Sequence, residues 1–474
     1  MDDTFTSIVE YTGLAEEQRC TYCNNTSSRS HGMWSESLNV TDYQDLIDRG
    51  WRRRGQSLYK PTMDKTCCPP YTIRLDAMDF KLSKSHKKVL KQMNKYLIYG
   101  HRKRPSVKPK EDKHKLQAEV GGGPSDKTIS EPTHITKPPP KAGVGADPSK
   151  PLMRKAKFRR SEKKRQRDQQ RTSTVEGGVV PDRSSVDSVS LGDTKAPVRS
   201  KGKKKLEDFI DEPDKAQTRA HKFEIRLIRP TSESEDFIET EKESAAIFQQ
   251  YRTEIHNYTR AESGRDDWLR FLVHSPLKDA SDLDRPPLGY GTFHQHYILD
   301  GTLVAVGVLD ILPLCVQASY LYYLPEYRFL SIGTYTALRE IALVRKLNKS
   351  LPNLRYYYLG YYVHSCSKLE YKTHFTPSSL LCPETYTWHL VANCLPKLDI
   401  SEYSRLATDN VKDVDRKHGV DEVDDVSVLF RGQMMSFGSL KSLLGQTSEE
   451  KEVTEYAYLV GKKCARKLIL VRSQ

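Results

Sequence analysis

Two histidines and one aspartate in the middle of the chain have the side chains that proton transfer requires. His294 and His296 are separated by one residue in a stretch predicted to be extended, so alternation places both imidazoles on the same side. Asp310 closes the apolar segment 302–309, where a carboxylate needs a specific partner. We predict that all three are catalytic, because imidazole and carboxylate are the usual general acids and bases. A helix cap or a salt bridge to Arg339 would equally explain Asp310.

Four of the nine cysteines have a spacing typical of a metal site. Cys20 and Cys23 form a CxxC pair, whose short turn directs both sulfurs inward, and Cys67 and Cys68 supply two more thiolates. Adjacent cysteines are unusual in structural zinc sites, so an iron–sulfur cluster and zinc are both open. We predict that these four cysteines bind one metal centre. The alternative is four unconnected thiols.

Basic clusters in the first half of the chain have the composition of a phosphate-binding surface. Three arginines follow Trp51, which combines charge for phosphate with a ring for base stacking. A helix predicted over residues 83–99 carries lysines on its polar side. A run over residues 154–167 would attract RNA or act as a nuclear address. Each cluster could instead be a solvated surface, with Trp51 in a small core. The residues predicted to contact RNA are Arg52, Arg53, Arg54, Lys87, Lys88 and Lys91.

The whole chain is basic, with 76 Lys and Arg against 62 Asp and Glu in 474 residues and a pI near 9.1. This balance favours a polyanionic partner, with nucleic acid ahead of an acidic membrane surface. No apolar run is long enough to cross a bilayer, and the first twenty residues are polar and acidic, unlike a signal segment. In a reducing compartment, the nine cysteines are thiols or metal ligands. We expect the protein to be cytoplasmic and to have no membrane partner. It would also enter the nucleus if residues 154–167 act as a nuclear localisation signal.

Composition divides the chain into three sections. Residues 1–100 form a small cysteine-rich domain, and residues 101–220 form a disordered basic linker with almost no aromatic residues. Residues 221–474 form a larger folded domain.

The central block of the last section has the pattern strand, strand, helix, strand. The four elements are predicted at residues 302–309, 316–323, 334–347 and 355–363. This order is typical of the N-acetyltransferase (GNAT) fold. The predicted fold class is therefore α/β (α+β), with a GNAT-like acyltransferase fold in the C-terminal domain and a small metal-binding N-terminal domain. Further predicted elements are strands at 71–75, 222–228 and 426–430 and helices at 83–99, 235–258 and 450–468.

Short motifs in both folded sections occur in the order that one known family shares. Those of the first section are Cys20-Thr-Tyr-Cys23, Gly50-Trp-Arg-Arg53, Tyr59-Lys-Pro61, Cys67-Cys-Pro69 and Tyr71-Thr-Ile-Arg74. Those of the last section are Gly291-Thr-Phe-His-Gln295, Leu299-Asp-Gly301, Val306-Gly-Val-Leu-Asp-Ile-Leu-Pro313, Tyr335-Thr-Ala-Leu-Arg-Glu-Ile341, Tyr358-Leu-Gly-Tyr-Tyr362, His364-Ser-Cys366 and Leu381-Cys-Pro-Glu-Thr-Tyr386. These motifs resemble those of the eukaryotic arginyl-tRNA--protein transferases.

The resemblance implies transfer of arginine from arginyl-tRNA to the α-amino group of proteins that begin with Asp, Glu or oxidised Cys. Such transfer marks those proteins for ubiquitin-dependent degradation in the N-degron pathway. The resemblance also implies that the four cysteines hold an iron–sulfur or other metal site with a regulatory role. Two other functions stay open, a non-enzymatic RNA- and metal-binding adaptor and an acetyl-CoA-dependent protein N-acetyltransferase. The turn at residues 331–335 weakens the second, because it lacks the glycine-rich pattern that binds the pyrophosphate of coenzyme A.

The implied reaction needs neither ATP nor coenzyme A, because an aminoacyl ester is already activated. An α-amino group, with a pKa of roughly 7.7 to 8.0, needs only a modest general base. The two substrates call for pockets of opposite charge. Candidates to receive the arginine guanidinium are Asp310, Glu340 and Glu384. Candidates to receive the acidic side chain are Arg339, Lys368, Lys372 and His374, with Tyr358, Tyr361 and Tyr362 lining the cleft.

Overall fold

The computed structural model describes residues 6–101, 204–279, 284–416, 423–445 and 449–472. The basic run 154–167 lies outside the described residues, as does most of the predicted linker. The strands are β1 (Ile8–Gln18), β2 (Ser28–Asn39), β3 (Arg52–Arg54), β4 (Ser57–Pro61), β5 (Tyr71–Asp76), β6 (Phe223–Ile228), β7 (Leu277–Lys278), β8 (Gly291–Leu299), β9 (Thr302–Ile311), β10 (Cys315–Tyr323), β11 (Tyr356–Tyr362), β12 (Ser378–Leu381), β13 (Trp388–Leu390), β14 (Ser427–Phe430), β15 (Gln433–Ser436) and β16 (Ile469–Arg472). The α-helices are α1 (Val40–Ile47), α2 (Lys84–Tyr99), α3 (Leu206–Ile210), α4 (Glu235–His256), α5 (Arg265–Trp268), α6 (Ile332–Asn348), α7 (Val391–Leu398), α8 (Phe437–Leu444) and α9 (Glu449–Lys467).

The strands form two sheets. The central sheet has the order β13-β12-β5-β11-β10-β9-β8-β6, in which only β10 and β11 are parallel neighbours. The N-terminal sheet has the order β15-β14-β16-β1-β2-β4-β3, with β7 paired to β2. The mixed α/β class predicted from the sequence is confirmed.

Alternation along β9 shows how the central sheet is covered. Val306, Val308 and Asp310 share one face, because successive strand residues point to opposite sides. Helix α4 covers the first two, which pack in a cluster with Phe248. Strand β3 of the N-terminal sheet covers the third through Arg53. The opposite face packs on α6. One face of the central sheet is therefore shared between a helix and the second sheet.

Both folded sections of the chain contribute to both sheets. Strand β5, from the first hundred residues, lies inside the central sheet between β11 and β12. Strands β14 to β16, from the last fifty residues, continue the N-terminal sheet beside β1. The boundary predicted near residue 100 therefore does not separate two bodies. Helix α3 also lies within the predicted linker range, with Leu206 and Phe209 buried.

Helix ends follow local chemistry. The Ser83 hydroxyl caps α2 by accepting a hydrogen bond from the backbone N–H of His86 at 3.1 Å. Gly100, with a φ of 67°, ends the helix in the left-handed conformation that glycine tolerates. The helices predicted at 83–99, 235–258 and 334–347 are present, with ends within two residues of those predicted. The helix predicted at 450–468 is present with similar ends but is kinked at Gly461, whose φ is 82°.

One prediction of burial is wrong. Helical spacing along residues 235–258 predicts that Ile238 faces the core, but it is 54% exposed and Phe237 is buried instead. The acidic stretch 409–425 is predicted to be a surface insertion, and most of its described residues are exposed or half-buried. Within this stretch the carboxylate of Asp413 pairs with Arg49, with 2.9 Å between Oδ2 and Nη2. No helix in the described parts of the chain is long and apolar enough to span a membrane.

Candidate active site

The candidate active site is an opening between the two parallel strands of the central sheet. Strands β10 and β11 pair over three positions, the last being Gln317 with Tyr358. Beyond this pair β10 bulges against β9, and the register of β11 on β5 shifts between Tyr358 and Tyr361. Gly360, with a φ of 74°, allows the backbone to turn at that shift. Regular pairing of the two strands therefore stops at Gln317 and Tyr358, and backbone groups beyond these residues can hydrogen-bond to side chains or to a bound molecule.

Lys372 occupies the position that this parting creates. It lies in a 3-10 segment, Ser367–His374, that follows β11. Its Nζ donates hydrogen bonds to the carbonyl oxygens of Leu359 at 2.7 Å and Tyr361 at 2.6 Å. Burial, and after it the positive charge of Arg52, lowers the pKa of Lys372 from 10.5 to about 8. A neutral amine with two N–H groups engaged keeps its lone pair for a third partner, so Lys372 can act as a base near neutral pH.

Partly exposed tyrosines follow the parted half of β10. Tyr323 packs on Tyr251 of α4, with ring centroids 4.9 Å apart, and Tyr320 packs edge-on against Phe271 at 5.0 Å. The guanidinium of Arg54 lies 5.3 Å from the centroid of Phe271. Rings interleaved with guanidinium groups are typical of surfaces that bind single-stranded nucleic acid. In the sequence these aromatics predict a strand but were not recognised as a binding surface. Their alternation along residues 316–323 was the available clue.

Asp310 is fully buried and holds Arg53 of β3. The guanidinium donates Nε to Oδ2 at 3.0 Å and Nη2 to Oδ1 at 2.5 Å. The hydroxyls of Thr292 and Ser319 add one donor to each carboxylate oxygen at 2.9 Å. This ion pair joins the N-terminal sheet to the central sheet. A salt bridge therefore explains the carboxylate, with Arg53 as its partner instead of Arg339. The catalytic role of Asp310 stays a prediction, and the geometry supports a structural one.

His294 and His296 share one face of β8, with ring centroids 6.2 Å apart. Both are fully buried and are separated from the opening by β9. Burial lowers the pKa of His294 to about 4 and that of His296 to about 3, so both rings are neutral at physiological pH. Neither histidine contacts the opening through a hydrogen bond: His294 Nε2 lies 3.1 Å from the carbonyl oxygen of Leu272. Their catalytic role stays a prediction that this position does not support.

Glu340 differs from the other two carboxylates predicted to receive a guanidinium. Asp310 is paired as described above, and Glu384 is exposed and pairs with Arg405 at 2.6 Å. Glu340 of α6 is buried and accepts a hydrogen bond from the Tyr357 hydroxyl at 2.5 Å. Burial raises the pKa of Glu340 to about 7. Among the described residues it has no cationic partner, so its charge is still uncompensated.

The tyrosines predicted to bind substrate do not all lie together. The Tyr358 hydroxyl donates to Asp48 at 2.5 Å and the Tyr361 hydroxyl to the carbonyl of Gly50 at 3.2 Å. Both rings flank Arg52, whose guanidinium carbon lies 5.9 and 5.2 Å from their centroids. The other predicted substrate ligands lie outside this group: Arg339 on α6, Tyr362 against His364, and Lys368 and His374 on the surface.

The three consecutive arginines of β3 have different surroundings. Trp51, which precedes them, is fully buried, and its Nε1 donates a hydrogen bond to the carbonyl oxygen of Leu459 at 3.2 Å. Of the two roles considered for Trp51, burial in a core is therefore confirmed and not base stacking. Arg53 is committed to Asp310, Arg52 is buried, and Arg54 is exposed. Residues whose charge is open to a polynucleotide are Arg54 and, at least in part, Lys87, Lys88 and Lys91 of α2.

The four predicted metal ligands converge. The sulfur atoms of Cys20, Cys23, Cys67 and Cys68 lie within 4.8 Å of one another. Sulfurs about 2.3 Å from one tetrahedral zinc ion would be roughly 3.8 Å apart, so this donor set fits zinc, and four thiolates also suit an iron–sulfur cluster. Cys20 and Cys68 are buried and Cys23 is exposed, which places the site at the protein surface.

The buried thiols pack against the chain segment that leads to Lys372. Cys20 and Cys68 share a hydrophobic cluster with Val363, and Cys366 and Leu369 pack against it. The metal-binding site and the candidate base are thus connected through a short stretch of backbone after β11.

Replacing Cys23 by serine is expected to abolish stoichiometric metal binding, because three thiolates no longer complete a four-sulfur site. Metal analysis of anaerobically purified protein, with optical spectra to separate iron from zinc, provides the measurement. Cys394→Ser is the matched control, since Cys394 is buried at a distance in α7 and should leave the metal content unchanged. Full metal occupancy in the Cys23 variant would contradict the assignment.

Comparison with known proteins yields two family models. "Arginine-tRNA-protein transferase, N terminus" matches residues 18–88, and "Arginine-tRNA-protein transferase, C terminus" matches residues 243–382. "Arginyl-tRNA--protein transferase 1" of Drosophila melanogaster is 35% identical over 98% of this chain and 99% of its own length. "Arginyl-tRNA--protein transferase 2" of Arabidopsis thaliana is 32% identical over 82% and 76% of the two chains. "Aspartate/glutamate leucyltransferase" of Pseudomonas fluorescens (strain Pf0-1) is 31% identical over 36% and 63%.

Proposed function

This chain belongs to the arginyl-tRNA--protein transferase family, whose members transfer arginine from tRNA to proteins, and we propose that the opening between β10 and β11 is where it does so. The observation that carries this proposal is the position of Lys372. Its amine lies between two parted strands, hydrogen-bonded to carbonyl groups that a regular sheet would use, with a pKa near that of the acceptor amine.

A GNAT-like arrangement of the central sheet supports this location. Antiparallel strands β8, β9 and β10 are followed by α6 and then by β11, which returns parallel to β10. The backbone groups freed where β10 and β11 part can hydrogen-bond an aminoacyl group. We propose that the arginyl ester lies there, at the position that the acyl group of the donor occupies in the GNAT fold.

The proposed step is an aminolysis of the ester. The α-amino nitrogen of the acceptor attacks the ester carbonyl carbon, a C–N bond forms, and the C–O bond to the terminal ribose breaks. The amine loses one proton and the departing ribose oxygen gains one. Lys372 accepts the proton that the amine loses and donates a proton to the departing ribose oxygen. Its own protonation state is therefore the same before and after the reaction. The ester supplies the activation, so the step uses neither ATP nor coenzyme A.

The pKa of Lys372 suits this relay. An acceptor α-amino group has a pKa of roughly 7.7 to 8.0, and a base of similar pKa accepts its proton almost without cost. Holding the amine against the ester supplies much of the remaining rate.

The tyrosines and arginines around the parted half of β10 are proposed to receive the 3′ end of the tRNA. Bases can stack on Tyr320, Tyr323 and Tyr251, and Arg54 is exposed for a phosphate. The net charge of +14 adds long-range attraction for the polynucleotide.

We propose that the acceptors begin with Asp, Glu or oxidised Cys and that arginylation directs them to ubiquitin-dependent degradation, in the cytoplasm and the nucleus. The name of the bacterial relative from Pseudomonas, an aspartate/glutamate leucyltransferase, supports the acidic acceptors. For the thiol site we propose an iron–sulfur cluster, with zinc as the alternative. Such a centre, when bound, would cross-link the loops that carry Cys20, Cys23, Cys67 and Cys68 and would serve regulation.

The test is incubation with radiolabelled arginine, tRNA, a charging enzyme and a peptide that begins with Asp. Label should enter the peptide and should vanish when RNase is added first. Label that enters the peptide without RNA would contradict the proposal. So would label that enters only when labelled acetyl-CoA replaces labelled arginine, which would identify an N-acetyltransferase. RNA and metal binding without any transfer would identify a non-enzymatic adaptor.

A further inference from the structure

Arg52 is a buried cation that forms no salt bridge among the described residues, and the buried carboxylate of Asp48 interacts with it only through space. The side chain of Arg52 is at the interface between the two sheets, and the residue is 4% exposed. Only Nη1 has partners, the carbonyl oxygens of Trp51 at 2.6 Å and Ile47 at 3.2 Å. Nε and Nη2 are buried and have no hydrogen-bond partner among the described residues. A buried charge without a hydrogen-bonded counter-ion is strongly destabilising, so the two unpaired N–H groups point to a partner that binds there.

Arg52 differs from Arg49 and Arg53, each of which forms a salt bridge. Arg53, the next residue of β3, uses Nε and Nη2 side by side to hold both oxygens of Asp310. Arg49 pairs with Asp413 and, at 3.4 Å, with Asp415. In Arg52 the same Nε and Nη2 edge is free. That edge matches the two oxygens of a carboxylate or of a sulfinate or sulfonate group.

A second unpaired atom lies at the base of the opening. Gln317 is the last residue of β10 that pairs with β11, and its Oε1 is buried without a hydrogen-bond partner in the described part of the chain. Its Nε2 donates to the Tyr43 hydroxyl at 3.1 Å, which fixes the orientation of the amide. An acceptor atom and a free guanidinium edge together suit a ligand that carries both an amine and an acidic group.

We propose that Arg52 binds the acidic side chain of the acceptor's first residue, while Gln317 Oε1 accepts a hydrogen bond from its α-amino group. This inference rests on the proposed function. Arg52 lies against the rings of Tyr358 and Tyr361, the strand segment whose carbonyl groups orient Lys372. The acidic group bound there would place the α-amino group of the same residue beside the base. A tRNA phosphate fits less well, because its two ester substituents need more room than a buried edge offers.

The test compares two peptides that differ only in a first residue of Asp or Asn, with arginyl-tRNA as the donor. We expect Arg52→Gln to lower kcat/KM for the Asp peptide roughly 100-fold and to change kcat/KM for the Asn peptide little, so that the preference for Asp disappears. Arg54→Gln is the matched control on the same strand. Because Arg54 is exposed and is proposed to contact the tRNA and not the acceptor, its variant should lower kcat/KM for both peptides alike and keep the preference for Asp.

Arg52→Lys covers the case in which Arg52→Gln does not fold, since it retains the buried charge but not the two-donor edge. It should weaken the preference for Asp without reversing it. An unchanged Asp-to-Asn ratio in the folded variants would overturn the inference, and so would a loss confined to tRNA affinity. Failure of the wild-type protein to modify either peptide would instead refute the proposed function.

Discussion

Replacing Lys372 by arginine is expected to lower the rate of arginyl transfer in a single turnover by roughly 10²- to 10⁴-fold, the usual contribution of a general base. Arginine keeps the positive charge and can still donate to the carbonyl groups of Leu359 and Tyr361, but it does not lose a proton at any accessible pH. In the wild-type protein the rate should rise as the pH increases through about 8, since only neutral Lys372 accepts a proton.

Two controls belong to this experiment. Lys368→Arg changes an exposed lysine of the same 3-10 segment and should leave the rate near that of the wild type. Lys372→Met should be as slow as Lys372→Arg, because both lack a proton acceptor. A Lys372→Arg enzyme within threefold of the wild type would exclude Lys372 as the base.

Replacing Asp310 by alanine is expected to reduce the free energy of unfolding by about 3 to 5 kcal/mol, because it leaves Arg53 charged and unpaired in the interior. The ion pair is deeply buried, with the side chain of Arg53 3% and that of Asp310 0% exposed. Chemical denaturation of the variant, followed by fluorescence, measures the loss. A variant of unchanged stability that is inactive would restore the catalytic role predicted from the sequence.

A double replacement distinguishes the contribution of the ion pair from that of packing at the same interface. Arg53→Met combined with Asp310→Leu removes both charges and should be more stable than Asp310→Ala alone, since an apolar pair leaves no charge without a partner. If the double variant is as unstable as the single one, packing and not charge holds this interface.

Secondary structure could be predicted from the sequence wherever one pattern was long. Helix α6 was predicted at residues 334–347 and spans Ile332–Asn348, because its apolar residues repeat at helical spacing. Strand β1, with the sequence IVEYTGLAEEQ, was missed because five of its eleven residues are Thr, Glu or Gln and only two of the eleven are buried. This segment is extended because it pairs with β2 and β16, and pairing between distant segments is not visible in the local sequence.

The candidate site was predictable in its residue types but not in its pairing. The four cysteines were identified from spacing alone, and they do converge. Arg52, Arg53 and Arg54 look equivalent in the sequence, yet one is unpaired and buried, one forms an ion pair and one is exposed. Lys372 was predicted only as a cation for substrate, because its lowered pKa depends on burial that tertiary structure creates. Asp310 was ranked as catalytic because its partner lies more than two hundred residues away in the chain.

The location of β5 between β11 and β12 also has a consequence for biosynthesis. The ribosome completes β5 long before it makes either neighbour, so this strand must wait with both edges unpaired. The pairing of β16 with β1 imposes a similar delay, because the two strands are far apart in the sequence. We therefore expect a product that stops before β16 to lack the parallel neighbour of β1 and to leave that edge of the N-terminal sheet unpaired.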